Sequence, residues 1–253
     1  MGRRPLIAGN WKMFGRQADL TELETLSGAI AATGDGIDVA ICPPATLLAA
    51  AVAMARDGAV RIGAQDCRAG GDGAQTDDIN AAMLADAGAA YCIVGHSERR
   101  RDHGETDEIV AEKARSLIAA GVVPIICVGE TLEERKAGAA ADIVSRQIAA
   151  SVPDGVQASA VIAYEPVWAI GTGLTPTLTE IGAIHAVVRA RLETRFGAVG
   201  GAMRVLYGGS VKPANAGEIF CVDGVDGALV GAASLKAADF AAIIRAHPAA
   251  AGR

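Results

Sequence analysis

The chain has 253 residues, of which 51% are hydrophobic and 4% aromatic, and its formal net charge is -6. This length allows one large buried core, and the scarcity of aromatic residues favours helices packed on strands over a β-sandwich. The acidic balance argues against partners such as nucleic acid or an anionic membrane, and no apolar run approaches the ~18 residues of a membrane span.

Short apolar runs recur along the whole chain and predict eight β-strands, at 6–9, 38–42, 60–64, 91–94, 122–128, 161–164, 204–207 and 228–230. Helical segments separate them. Two T-x-x-E capping boxes, Thr131 to Glu134 and Thr177 to Glu180, predict helix starts, and Gly121 predicts the end of a helix that begins near Glu105. A repeat of about 30 residues per strand and helix predicts an α/β fold, a (β/α)8 barrel. We interpret residues 1–253 as one catalytic domain.

An open doubly wound sheet is the alternative fold. Its dinucleotide-binding version requires G-x-G-x-x-G after the first strand, and the sequence lacks that motif there. The barrel also predicts where function lies, because active sites of such barrels form at the C-terminal ends of the strands.

The first strand ends in Asn10-Trp11-Lys12. The amide and the ammonium are two residues apart, so both project to the same side if the chain is extended there. A lysine at this rim can hold a phosphate dianion and polarise a carbonyl oxygen. For a single lysine, an ordinary surface position is the competing interpretation.

The fourth strand leads into Gly95-His96-Ser97-Glu98-Arg99-Arg100. We expect His96 at the start of a helical turn, where N–H dipoles disfavour the imidazolium cation. A hydrogen-bonded core histidine is the alternative interpretation.

The sixth strand ends at Tyr164, and Glu165 follows at the rim, a suitable place for a base. Pro166 stiffens the exit of the strand, and the glycines Gly171 and Gly173 let backbone N–H groups approach an anion. The alternative is a solvated glutamate followed by an ordinary turn.

Two late segments have the character of a phosphate-binding site. Gly208-Gly209-Ser210 follows the seventh strand, with a helix start predicted at Pro213, and Gly231-Ala232 follows the eighth strand. Backbone N–H groups at such strand-to-helix junctions bind anions without a charged side chain, and the loops after strands seven and eight are a frequent phosphate site in barrels. Simple tight turns are the alternative.

These motifs, together with Ala64-Gln65-Asp66 and Cys127-Val128-Gly129-Glu130-Thr131, closely resemble the triosephosphate isomerase family over residues 10 to 232. The resemblance implies a cofactor-free and metal-free isomerase that interconverts dihydroxyacetone phosphate and glyceraldehyde 3-phosphate. An isomerase of a larger sugar phosphate, such as a tetrulose phosphate, and a non-catalytic phosphate-binding barrel remain as alternatives.

The resemblance also implies residue roles. Glu165 takes a proton from carbon, His96 acts as a neutral hydrogen-bond donor, and Lys12 with Asn10 stabilises the enediolate. The residues expected at the phosphate are Gly171, Ser210, Gly231 and Ala232, with Asn10 and Lys12 also contacting the substrate. Glu98 is expected to pair with Lys12 or to orient the residues around the reacting groups, and Cys127 to pack near the base without acting as a nucleophile.

A homodimer is implied as well, with the loop from Gly70 to Asn80 inserted into the partner. This chain departs from the family at Phe14 and Asp66, where asparagine is usual, and at Gln75, where an aromatic residue is usual. Five scattered cysteines favour reduced core thiols over a disulfide framework or a metal site. Together with the absence of a signal peptide, they predict a cytoplasmic protein.

Overall fold

A computed structural model describes residues 3–31, 36–55, 58–170 and 174–250. Its strands are β1 (Leu6–Asn10), β2 (Asp38–Cys42), β3 (Val60–Ala64), β4 (Tyr91–Val94), β5 (Val123–Val128), β6 (Val161–Tyr164), β7 (Arg204–Tyr207) and β8 (Gly227–Val230). All neighbours pair in parallel, and the sheet closes because Leu6 lies beside Asp38 on one side and Gly227 on the other. The predicted (β/α)8 barrel is confirmed.

The helices are α1 (Thr21–Ile30), α2 (Leu48–Ala55), α3 (Ala81–Asp86), α4 (Ser97–His103), α5 (Asp107–Ala119), α6 (Leu132–Lys136), α7 (Ala140–Ser151), α8 (Leu178–Phe196), α9 (Ala198–Ala202), α10 (Ala216–Phe220) and α11 (Ala237–Arg245). Both predicted capping boxes are confirmed, at the starts of α6 and α8. Gly121 follows α5 with a φ of 77°, a conformation that glycine adopts without strain.

The start predicted for α5 is wrong by two residues. Thr106 caps this helix by accepting a hydrogen bond from the Ile109 N–H, so the helix begins at Asp107. Glu105 instead turns inward, where it accepts hydrogen bonds from Lys113 and Arg99 at 2.6 Å each.

Successive side chains point to opposite faces of each strand, which produces two apolar layers. Side chains such as Leu6, Ala8 and Ile125 fill the barrel interior, whereas Ile7 and Val39 pack against the helices. All five cysteines are free; Cys42, Cys67, Cys92 and Cys127 are buried, whereas Cys221 is exposed. No helix among the described residues is long and apolar enough to cross a membrane.

Candidate active site

A cavity of about 470 Å³ opens at the C-terminal ends of the strands. The sequence-predicted site residues that line it are Asn10, Lys12, His96, Glu98, Glu165, Ser210, Gly231 and Ala232. Gly171 lies outside the described residues. The chain therefore brings together side chains from β1, β4 and β6 with the loops that follow β7 and β8.

Glu165 is held by the ends of the two strands that flank β6. Its N–H donates to the Val128 carbonyl at 2.7 Å, and the Gly208 N–H donates to the Tyr164 carbonyl at 2.7 Å. Gly129 passes so close that a Cβ there would overlap the carbonyl oxygen of Glu165. The backbone that carries this carboxylate is consequently fixed on both sides.

The Glu165 side chain is 2% exposed and accepts hydrogen bonds from two donors. Its Oε1 lies 3.0 Å from His96 Nε2, and its Oε2 accepts the Ser97 N–H at 3.0 Å. Burial raises the pKa of this carboxyl, but His96, the Ser97 N–H and Lys12 together outweigh burial and leave the pKa lowered. Glu165 is therefore ionised at neutral pH, as a base must be.

His96 is the N-cap of α4, and its Nδ1 accepts the Glu98 N–H at 3.2 Å. An Nδ1 that accepts this bond carries no proton, so the proton of the neutral imidazole lies on Nε2 and points to Glu165. The lowered pKa expected from N–H dipoles is not found. Burial disfavours the cation, but the carboxylates of Glu165 and Glu98 outweigh burial and raise the pKa of His96.

Lys12 has a left-handed backbone with a φ of 53°, which is uncommon for a residue with a side chain. The prediction that Asn10 and Lys12 share an extended segment is thus wrong, although both line the cavity. Two side chains hold the turn: Asn10 Oδ1 accepts the Lys12 N–H at 2.9 Å, and Gln65 Nε2 donates to the Lys12 carbonyl at 2.8 Å. The ammonium lies 2.6 Å from Glu98 Oε1, which is the expected pair.

Cys127 lies in the barrel interior beneath Glu165 and does not line the cavity. Burial and the Glu165 carboxylate raise the pKa of its thiol well above the ordinary range. A thiol that stays protonated is a poor nucleophile, which agrees with a packing role. Among the described residues, no group of three or more His, Cys, Asp and Glu side chains is placed to hold a metal ion.

The loop after β7 is a fixed turn. Asn215 Nδ2 donates to the Ser210 carbonyl at 3.0 Å, and Asn215 Oδ1 accepts the Lys212 N–H at 2.7 Å. This turn delays α10 until Ala216, so the helix start predicted at Pro213 is wrong by three residues.

Beside that turn, a short 3-10 helix begins at Ala232, directly after Gly231. The first N–H groups of a helix have no intrahelical acceptor, and Ala232 and Ala233 line the cavity. Lys12 Cε lies 3.6 Å from the point where a Cβ on Gly231 would stand. The candidate phosphate loop and the lysine are therefore adjacent.

Three further groups lie at or near the site, and the sequence analysis assigned no role to them. Gln65, which follows β3 at the same end of the barrel, also donates to the Cys42 carbonyl at 2.9 Å. Glu130 is fully buried and accepts hydrogen bonds from Trp168 Nε1 at 2.8 Å and the Tyr164 hydroxyl at 3.2 Å. It joins the loop after β5 to the loop after β6.

The third group is the pair of cations Arg101 and Lys212, which line the cavity. The signal for Gln65 and Glu130 was their position just beyond a strand.

The family model described as "Triosephosphate isomerase" matches residues 5–247. The chain belongs to the triosephosphate isomerase family. It is 58% identical over 246 residues to the triosephosphate isomerase of Afipia carboxidovorans, covering 97% of this chain and 98% of that one. It is also 58% identical over 252 residues to that of Ruegeria pomeroyi, covering 99% and 100%. Among solved structures, the triosephosphate isomerase from Bartonella henselae superposes with a TM-score of 0.90 at 44% identity, covering 96% and 98%.

Membership of the triosephosphate isomerase family makes the chain an isomerase. The geometry is suited to proton transfer at a carbon next to a carbonyl group. An ionised carboxylate, an imidazole N–H and an ammonium face one cavity, next to backbone N–H groups that suit an anion.

Proposed function

We propose that the chain interconverts dihydroxyacetone phosphate and glyceraldehyde 3-phosphate through an enediolate, without a cofactor. The observation that carries this proposal is the 3.0 Å contact between Glu165 Oε1 and His96 Nε2 in the cavity that Lys12 also lines. Glu165 removes a proton from the carbon next to the carbonyl group, and His96 transfers protons between the two substrate oxygens.

Substrate binding must break the hydrogen bond between His96 and Glu165. The single Nε2–H of neutral His96 points to Glu165, so it reaches a substrate oxygen only after that bond is released. Glu165 then loses one of the interactions that lower its pKa. The same event therefore supplies the oxygen with a donor and makes the carboxylate a stronger base.

Lys12 and Asn10 stabilise the negative charge that develops on the enediolate oxygen. Glu98 orients the Lys12 ammonium, and Cys127 packs beneath Glu165; both act through their neighbours and touch no substrate. The phosphate group is bound by Ser210, Gly231 and Ala232, together with Gly171.

A coupled assay on purified protein tests the proposal. We expect turnover of dihydroxyacetone phosphate with a kcat/KM of at least about 10⁴ M⁻¹s⁻¹, within the ordinary range of enzymes. A tetrulose phosphate tested in parallel is expected to react with a much lower kcat/KM. A higher value for the four-carbon substrate would assign the cavity to the larger sugar phosphate, and inactivity on both would indicate a non-catalytic barrel.

We further propose that residues 1–253 form one catalytic domain that works as a homodimer in the cytoplasm, in glycolysis and gluconeogenesis. Met13 and Phe14, next to Lys12, are 95% and 58% exposed, which is unusual for large apolar side chains. A second cavity, of about 710 Å³, lies between Met13 and residues 77–79. These features support an interface formed by the Gly70–Asn80 loop of a partner. The five free cysteines are in keeping with a reducing compartment.

A further inference from the structure

Among the described residues, three cationic side chains line the active-site cavity, and two of them are already paired. Lys12 Nζ lies 2.6 Å from Glu98 Oε1, and Arg101 Nε lies 2.6 Å from Asp102 Oδ1. The third is Lys212. Its ammonium forms no ion pair within residues 3–31, 36–55, 58–170 and 174–250.

The Lys212 side chain is exposed, but its backbone is fixed. The Lys212 N–H donates to Asn215 Oδ1 at 2.7 Å, and the Lys212 carbonyl accepts the Asn215 N–H at 3.1 Å. The preceding residue, Val211, is 5% exposed and anchors the turn in the core. The backbone that carries this ammonium is thus fixed at the mouth of the cavity, two residues beyond Ser210.

Lys12 and the backbone N–H groups after Gly231 can hold a substrate dianion, but without Lys212 the paired side chains of the cavity add no net positive charge that would attract one. Glu98 offsets Lys12, and Glu165 must carry a negative charge to act as a base. The whole chain has a net charge of -6, so the long-range field repels a phosphate ester, which carries close to two negative charges at neutral pH. The ammonium of Lys212 at the mouth offsets the negative charge of Glu165.

We infer that Lys212 is a substrate-binding residue that attracts the phosphate dianion of the substrate to the loop around Ser210. This inference rests on the proposed function. Lys212 acts on capture of the substrate and not on proton transfer, so its removal raises KM and leaves kcat within about twofold of the parent value. Its contribution depends on ionic strength, because the side chain stays in water.

The test measures kcat/KM for dihydroxyacetone phosphate from about 0.01 M to about 0.5 M salt in four proteins. They are the parent, Lys212→Gln, Lys212→Arg and Arg146→Gln. Arg146 is exposed on α7, lines none of the cavities described and forms no ion pair among the described residues, so its substitution changes the net charge equally. We expect Lys212→Gln to lower kcat/KM about fivefold at low salt and less than about twofold at high salt. The kcat/KM values of Lys212→Arg and Arg146→Gln should both stay close to that of the parent.

Two results would overturn the inference. An equal loss in Lys212→Gln and Arg146→Gln would show that only the net charge matters. A loss in Lys212→Gln that does not change with salt would show a structural effect of the turn.

Calorimetry with inorganic phosphate separates this inference from the proposed function. If the parent lacks isomerase activity, a Kd for phosphate that is unchanged in Lys212→Gln still refutes the role of Lys212, and a weakened Kd supports it.

Discussion

His96 Nε2 lies 3.0 Å from Glu165 Oε1, so the two groups that handle protons in the proposed reaction are hydrogen-bonded to each other. Each stabilises the charged form of the other: the imidazole lowers the pKa of the Glu165 carboxyl, and the carboxylate raises the pKa of His96. Substrate must separate them. The Glu165 carboxylate is therefore the strongest base only when a substrate oxygen accepts the imidazole N–H of His96 in its place.

Replacing Lys12 with Met removes the ammonium next to Gly231 while keeping a side chain of similar length. We expect kcat/KM to fall by about 10³-fold, with losses in both KM and kcat, because the same charge attracts the phosphate and stabilises the enediolate. Steady-state kinetics measures both. A Lys12→Met variant that loses only affinity, with kcat unchanged, would remove Lys12 from the proposed chemistry.

Gln65→Ala tests whether the hydrogen bond from Gln65 stabilises the left-handed turn at Lys12. A backbone of this kind costs about 1–3 kcal/mol and persists only when its surroundings enforce it. Without the amide donor, we expect the ammonium to shift and kcat/KM to fall about 10- to 100-fold. Gln157→Ala, at an exposed loop position, is the matched control and should keep full activity. Equal activity of the two variants would show that Lys12 needs no support from Gln65.

His185 predicts how stability depends on pH. It is fully buried, its Nδ1 lies 3.0 Å from the Gly224 carbonyl, and burial lowers its pKa from 6.5 to about 4. Between these values the unfolded chain binds a proton that the folded chain does not, so the free energy of unfolding falls as the pH drops from about 6.5 towards 4. His185 alone should lower the free energy of unfolding by about 2–3 kcal/mol between pH 7.5 and pH 4.5.

Urea unfolding of the parent and of His185→Gln at both pH values checks this expectation. Both proteins share all other titrating groups, so the difference between their pH dependences isolates His185. The variant is expected to lose less stability than the parent as the pH falls. Parallel losses in the two proteins would mean that His185 is not kept neutral by the fold.

The proposed dimer predicts that shortening the loop between Gly70 and Asn80 produces monomers. Phe14→Asp should have the same effect, because it places a charge on an apolar side chain that the partner is expected to cover. Sedimentation velocity at micromolar concentration reports the oligomeric state, and activity should fall with the dimer because Lys12 adjoins the interface. A shortened variant that sediments as the parent does would reject this interface.

The strands and the positions of the reactive groups were predictable because they follow from local patterns. Apolar runs of three to seven residues define the strands, and a polar residue just past a strand of a parallel barrel reaches the site, as Glu165 and His96 do. The left-handed Lys12 was not predictable, since its carbonyl accepts a hydrogen bond from Gln65, which lies 53 residues further along the chain. The raised pKa of His96 likewise depends on a carboxylate brought close only by folding.

The most direct test of the central claim is deuterium uptake by dihydroxyacetone phosphate in D₂O, followed by NMR, with the parent and Glu165→Gln. If Glu165 removes the carbon-bound proton, the parent places solvent deuterium on carbon and forms glyceraldehyde 3-phosphate. The variant should bind inorganic phosphate with an unchanged Kd. Its rates of deuterium uptake and of glyceraldehyde 3-phosphate formation should both be lower by about 10³-fold or more. Deuterium uptake by Glu165→Gln at the rate of the parent would show that another group is the base and would contradict the account.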